Sequence, residues 1–315
     1  MFIEFHRNML GDHVRNQAFY DALKQVIKPG MRVVDLGAGT GLLGFMARQL
    51  GAAEVYLIDH GPVLQLAEEL AADNNIDGMV FLPEHSTSVF ELPPCDVVIS
   101  ETLGNYAFEE HLIENLNDAR RFLKPGGVMM PASIKQWIAP VTSAVHYEPL
   151  CVWDQVGFQL NYQRARYMSL NNLYVRTFKP EHLLAQNDAQ RCWDKADFNQ
   201  SDLVPSLRHN VQRWTLQQNQ TIYGFASWWH SELAPGVHLG TAPDAPATHW
   251  EQLYFPTEAP LTLQSGDVLE LEIHSDTRYE VGSHLRWSTR HFDPQGVLQS
   301  QFDQDVELGT IAPVE

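Results

Sequence analysis

A chain of 315 residues with 44% hydrophobic side chains has room for about two domains and a sizeable core. Its 39 acidic against 21 basic residues leave a formal charge of −18, a field that repels a phosphate backbone and draws in cationic partners, so nucleic-acid binding is not expected. Cys95, Cys151 and Cys192 form no Cys-x-x-Cys pair, which points to no disulfide framework and no metal site and fits a reduced, cytoplasmic setting.

Met1-Phe2-Ile3-Glu4-Phe5-His6 has no basic stretch followed by an apolar core, so no leader is expected there. No uninterrupted apolar run is long enough for a membrane span. From Asp12 to Lys28, apolar residues recur at Val14, Ala18, Ala22 and Val26, which predicts a helix stopped by Pro29-Gly30. Strands are predicted at Arg32–Leu36, Val55–Ile58, Met79–Leu82 and Val97–Ile99, and helices at Leu42–Leu50, Val63–Asp73 and Phe108–Leu123. Lys124-Pro125-Gly126-Gly127 reads as the stop of the last helix. This alternation predicts an α/β domain over residues 1–131 with a doubly wound parallel sheet. After about Pro131 the texture becomes β-rich, as in Thr221–Trp229 and Val268–Ile273, so residues 132–315 read as a mainly antiparallel β domain. Between about 147 and 201, Trp153, Phe158, Trp193 and Phe198 stand among polar residues, the pattern of an insertion that packs on something else.

Val33-Val34-Asp35-Leu36-Gly37-Ala38-Gly39-Thr40-Gly41 is a strand running into a glycine-rich turn that opens a helix. Gly37, Gly39 and Gly41 let backbone approach a ligand beyond the carboxyl ends of the strands. The spacing is Gly-x-Gly-x-Gly rather than the Gly-x-Gly-x-x-Gly of a dinucleotide site, and Asp35 would repel a pyrophosphate. That carboxylate suits a ligand with a cationic amine, which favours S-adenosyl-L-methionine over a nicotinamide cofactor. Asp59, ending the second strand, can accept both ribose hydroxyls.

Ser100-Glu101-Thr102-Leu103-Gly104-Asn105-Tyr106-Ala107-Phe108-Glu109-Glu110 resembles the double-glutamate loop of the protein arginine methyltransferases, Thr248-His249-Trp250 their Thr-His-Trp loop, and Met9-Leu10-Gly11-Asp12-His13-Val14-Arg15 the segment before their fold. The resemblance implies a Rossmann-like cofactor domain followed by a β-barrel with a helical dimerisation arm, here within about 147–201, and a homodimer. It implies Glu101 and Glu110 as the grip on a guanidinium, Arg15 as partner of the cofactor carboxylate, and Asp12 as partner of a catalytic His249. Thr87 and Ser88 would lie near the adenine, and Met9 and Trp250 against the substrate. Several positions depart from the family pattern. The segment before Met9 holds no Tyr-Phe-x-x-Tyr sequence, so tyrosine contacts from that helix are expected to be missing or replaced. Thr102 stands where tryptophan is frequent, and Asp59 where glutamate is frequent. Glu84-His85-Ser86-Thr87-Ser88 lacks an acid at Ser88, and its His85-Ser86-Thr87 is similar to the monomethylating branch.

Guanidinium is a protonated, poor nucleophile that must approach a sulfonium cation, and two carboxylates can neutralise and orient its planar fork. Nine residues of ideal helix turn through about half a circle, so Glu101 and Glu110 converge only if Leu103-Gly104-Asn105 bends the chain. Taken singly, Glu110 reads as a solvated first-turn glutamate with Glu109 as rival, Asp12 as a helix N-cap, Arg15 as exposed, His249 as structural and Trp250 as core. The joint pattern predicts an arginine N-methyltransferase acting on a protein, a peptide or free arginine. A methyltransferase for an unrelated amine or hydroxyl, and a non-catalytic module that binds arginine-rich peptide, are the alternatives.

Overall fold

The computed structural model describes residues 3–311. Of the opening segment judged to hold no leader, Met1 and Phe2 lie outside them. Two helices come first, α1 (Ile3–Gly11) and α2 (His13–Val26). Asp12 separates them with extended backbone, and its side chain accepts from the Arg15 amide at 2.9 Å, an N-cap that satisfies one of the orphan donors of α2.

The first sheet is built from β1 (Arg32–Leu36), β2 (Glu54–Ile58), β3 (Met79–Leu82), β4 (Cys95–Ser100) and β5 (Leu123–Met130), with α3 (Leu42–Gln49), α4 (Val63–Asp73) and α5 (Leu112–Ala119) in the crossovers. Strand order is β3-β2-β1-β4-β5, and every pairing is parallel. Chain direction across the sheet reverses between β1 and β4, which opens a crevice beyond their carboxyl ends. Apolar runs such as Val33-Val34 and Val97-Val98-Ile99 are buried, as a strand covered on both faces requires. The helix predicted over Phe108–Leu123 is shorter. Glu110 and His111 have φ of 55° and 57°, left-handed values that end any α-helix, so a 3₁₀ turn at Glu109–His111 precedes α5. Lys124–Gly127, read as a helix stop, already belongs to β5.

Beyond Met130 the chain is antiparallel. Its elements are β6 (Ser133–Val141), α6 (Gln163–Leu170), β7 (Tyr174–Arg176), β8 (Arg191–Asp197), β9 (Leu207–Thr215), β10 (Gln220–Ala234), β11 (Val237–Gly240), β12 (Gln252–Leu263), β13 (Val268–Asp276), β14 (His284–Phe292) and β15 (Leu298–Asp305). One sheet runs β7-β12-β10-β6-β8 with β11 on β10, the other β15-β14-β13-β9. They form a barrel-like unit whose interior holds Trp214, Phe225, Phe255 and Trp287, with Phe255 meeting Trp287 edge-on at 5.4 Å. On β13 the alternation is plain: Leu269, Leu271, Ile273 and Ser275 point inward and are buried, while Glu272, His274 and Asp276 face outward.

The stretch 147–201 is only partly the insertion expected. Its helical portion is a 3₁₀ run at Glu148–Gln155 and α6, after which β7 and β8 join the large sheet. Trp193 and Phe198 are buried in the chain's own core because β8 carries Trp193 into it and Phe198 follows directly, whereas Phe158 is 89% exposed. Among the described residues no helix is long and apolar enough to cross a membrane.

Candidate active site

The crevice beyond β1 and β4 contains a cavity of about 650 Å3, within the range of small-molecule sites. Its floor is the glycine turn. Gly37 and Ala38 donate to the Ile58 carbonyl at 2.9 and 3.2 Å, which ties the turn to the end of β2. Gly37 has φ +67°, and a Cβ there would lie 2.5 Å from Thr102 Cγ2, so any side chain at this position would be strained and would displace Thr102. Gly39 also lines the cavity, and its amide donates to Asp59 Oδ2 at 2.8 Å. Gly41 does not line it. Its φ of +83° starts α3, and a Cβ there would strike the Phe45 ring, so its part is to shape the turn.

Asp59 faces the cavity with its two oxygens anchored by the amides of Gly39 and Gly61. Asp35 lies deeper, accepts from the Gly44 amide of α3 at 2.8 Å, and is pushed up to about 7 by burial and then by the charge of Asp59. Met9 and Arg15 also line the cavity, delivered by α1 and α2. Thr87 and Ser88 do not. The lining from that loop is Glu84, His85 and Ser86, because the 3₁₀ turn at Ser86–Ser88 aims Thr87 back at the His85 ring. His6 was passed over in the sequence. It lines the cavity against Gly39, where a Cβ would come within 3.2 Å of its ring, and its buried Nε2 has no hydrogen-bond partner among the described residues. Its place three residues before Met9 on one helix face is the signal that could have found it.

Glu101 and Glu110 both line this cavity. The chain between them is irregular from Glu101 to Phe108, the bend their convergence demands. Burial raises the Glu110 carboxyl above its ordinary range, and the charge of Glu101 raises it further, so the two groups feel each other. Glu109 is outside the lining, with its side chain folded over Gly104. Arg15 and Glu101 form a nearly sealed ion pair, with side chains 8% and 4% exposed. Arg15 Nε and Nη2 both donate to Glu101 Oε2, the Nε bond at 2.7 Å, while Oε1 accepts only a long bond of 3.4 Å from the Leu103 amide. Arg15 is therefore buried, not exposed.

His249 and Asp12 meet as well. Asp12 Oδ2 accepts from the His249 amide and bonds its Nδ1, each at 2.8 Å. Burial alone would raise the Asp12 carboxyl, but the Arg15 amide and the two His249 groups outweigh it and hold it low. Neither residue lines the cavity, and nor does Trp250. Trp250 is buried and donates its indole N–H to the Leu103 carbonyl, Trp229 donates to that of Gly104, and Asn105 Oδ1 accepts from the Glu251 amide. Trp250 thus braces the glutamate loop from outside the cavity lining.

The lining fits S-adenosyl-L-methionine. It offers a glycine cradle that a Cβ would fill, an acid at the end of β2, a buried arginine within reach of a carboxylate, and an unpartnered His6 nitrogen.

Residues 133–290 match the arginine methyltransferase oligomerization subdomain, and residues 27–195 match a methyltransferase domain. The chain is similar to the histone-arginine methyltransferase CARMER of Aedes aegypti, with 26% identity over 280 residues, covering 85% of this chain and 47% of that protein. The CARMER of Drosophila persimilis is 27% identical over 296 residues, covering 89% and 56%. The chain spans about half the length of the curated relatives it matches. Among solved structures, the Trypanosoma brucei PRMT1 enzyme-prozyme heterotetrameric complex with AdoHcy superposes with a TM-score of 0.85 at 21% identity, covering 96% of this chain and 98% of that one. Arabidopsis thaliana protein arginine methyltransferase 10 gives 0.79 at 22% identity, covering 97% and 98%. With its parallel sheet, barrel-like unit and half its length matched by the oligomerization subdomain, the chain belongs to the protein arginine methyltransferase family.

Proposed function

We propose that the chain transfers methyl groups from S-adenosyl-L-methionine to the guanidinium of an arginine in a protein or peptide. The observation that carries this reading is that Glu101 and Glu110 both line the cavity that the glycine turn also lines, close enough for the charge of Glu101 to raise Glu110. When bound, S-adenosyl-L-methionine supplies a methyl group on a sulfonium cation. Glu101 Oε1 and the Glu110 carboxylate present acceptors to an incoming guanidinium, neutralise it and fix its plane. Charge then concentrates on the nitrogens they hold, and the remaining nitrogen keeps a lone pair to direct at the methyl carbon. Arg15 orients Glu101 by taking its other oxygen. Glu110, raised by burial, is the better placed of the two to take the proton that leaves. His249 and Asp12 act from outside the cavity and hold the segment that carries Arg15.

Homodimerisation is part of this reading. Val152, Phe158, Leu160 and Tyr167 expose apolar surface on and before α6, and the matching subdomain is described as an oligomerization unit. Sedimentation at micromolar concentration should give a dimer, and a monomer would refute this. The three free cysteines support a reducing, cytoplasmic location, and the charge of −18 supports a cationic partner rather than nucleic acid.

The decisive experiment incubates the protein with cofactor, an arginine-rich peptide and free arginine, and identifies methylated products by mass spectrometry. Methylarginine in the peptide is expected; methylation of free arginine alone would move the substrate to a small guanidine. Cofactor binding without transfer to either would favour an unrelated acceptor, and no cofactor binding would leave a binding module.

A further inference from the structure

His209 on β9 and His274 on β13 are direct cross-strand partners on the outer face of the smaller sheet, and Glu272 lies two residues before His274 on that same face. Both imidazole Nε2 atoms point at a single oxygen: Glu272 Oε1 is 2.9 Å from His209 Nε2 and 3.0 Å from His274 Nε2. The two rings stack with centroids 4.2 Å apart and an interplanar angle of 25°. All three donor atoms lie within 4.8 Å of one another. Arg290 Nη1 binds the other oxygen, Glu272 Oε2, at 2.8 Å, which holds the carboxylate in a one-oxygen presentation. None of the three residues lines the catalytic cavity. The neighbouring Ser275 points through the sheet to Tyr106, whereas His274 points away from it.

We propose that His209, Glu272 and His274 form a binding site for a divalent transition-metal ion of the zinc class. Tetrahedral zinc with bonds of about 2.0–2.1 Å places its ligand atoms about 3.3 Å apart. The 2.9 and 3.0 Å edges to Glu272 need only a small outward movement to reach that spacing, and the third edge, between the two Nε2 atoms, is no longer than 4.8 Å. Two imidazoles and one carboxylate on adjacent strands are a donor set that suits zinc, cobalt or ferrous iron. Side-chain exposures of 50% for His209, 33% for His274 and 19% for Glu272 leave an approach for the ion and a position for water as fourth ligand. A hydrogen-bonded lattice alone would not need two stacked imidazoles converging on one oxygen, since each ring could reach solvent. Positive neighbours set the ceiling on affinity: Arg290 contacts Glu272, Arg286 is the cross-strand partner of His274, and Arg213 pairs with Glu270 on the same face. Because β9 is the edge strand of its sheet, the ion would clamp that edge to β13. Sequence spacing gave no hint of such a site, for His209 stands 63 residues before Glu272.

The test uses the full chain stripped with chelator and titrated with zinc chloride by calorimetry, with cobalt(II) absorption as a second readout of four-coordinate geometry. Expected is one ion per chain at a Kd of about 10 μM or tighter, with intense visible cobalt bands and a higher thermal midpoint in zinc. His209→Ala and His274→Ala should each weaken binding at least about tenfold, whereas His238→Ala, an exposed histidine of β11 outside this cluster, should not. Both histidine variants alter exposed or half-buried side chains, and their circular dichroism should match that of the parent. Wild-type binding weaker than about 1 mM, or full binding retained in the His209→Ala/His274→Ala double variant, would overturn the assignment.

Discussion

Replacing Glu101 by glutamine removes one charge from a pair that water scarcely reaches. Two unit charges about 4 Å apart attract by about 4 kcal/mol at an effective dielectric near 20. Glutamine can still accept one hydrogen bond from Arg15, which returns about 1 kcal/mol. Apart from that bond, the side-chain acceptor left to Arg15 is Asn16 Oδ1, at 2.7 Å. Loss of the Glu101 charge also relieves Glu110 and Asp35, which it pushes up, so the net loss should be about 2–3 kcal/mol, at or below the usual range for a broken buried pair. Urea unfolding of the wild type, Glu101→Gln, Arg15→Met and the double variant measures this. The double variant should be more stable than the sum of the single losses predicts, by at least about 1.5 kcal/mol. Additivity within about 0.5 kcal/mol, or a Glu101→Gln protein as stable as the parent, would refute the reasoning that this pair couples α2 to the glutamate loop.

Glu110→Gln should lower kcat/KM on an arginine peptide by about a hundredfold or more, while Glu109→Gln, outside the cavity, should stay within a few-fold; equal losses would contradict the assignment. Asp35 titrates near 7 when folded and near 3.8 when unfolded, so the folded state binds the extra proton between these values and stability falls as pH rises through that window. Asp35→Asn should therefore gain on the wild type between pH 4 and pH 7 by an amount on the order of a few kcal/mol, read by denaturant unfolding at several pH values. Asp12→Ala should cost about 1 kcal/mol through the lost N-cap of α2 and also lower activity, because it frees His249.

Much of the parallel half was legible because its strands are buried on both faces and read as short apolar runs between helical stripes. Arg32–Leu36, Val63–Asp73 and Met79–Leu82 are found at the expected bounds. The glutamate loop misled the eye where the backbone departs from helical φ, since nothing in Glu109-Glu110-His111 announces two consecutive left-handed residues. Such strained positions cost about 1–3 kcal/mol each and are held by their surroundings, which a local pattern cannot see. Trp193 and Phe198 were assigned to an insertion because aromatics among polar residues look unpartnered until the long-range pairing of β8 with β6 is known. His6 escaped because the helix that carries it is only nine residues long. Asp12, by contrast, satisfies its bland reading and its special one together, capping α2 with one oxygen and holding His249 with the other.

The carbonyls of Leu103 and Gly104, in the loop of the first domain, are each fastened by an indole from the second. Such fastening makes the two halves hard to inherit separately. A cofactor domain cut free at the boundary would keep its sheet and glycine turn yet lose the clasp that sets the spacing of its acids. Substitution of either barrel tryptophan should then disturb the glutamate loop without altering the cavity lining itself.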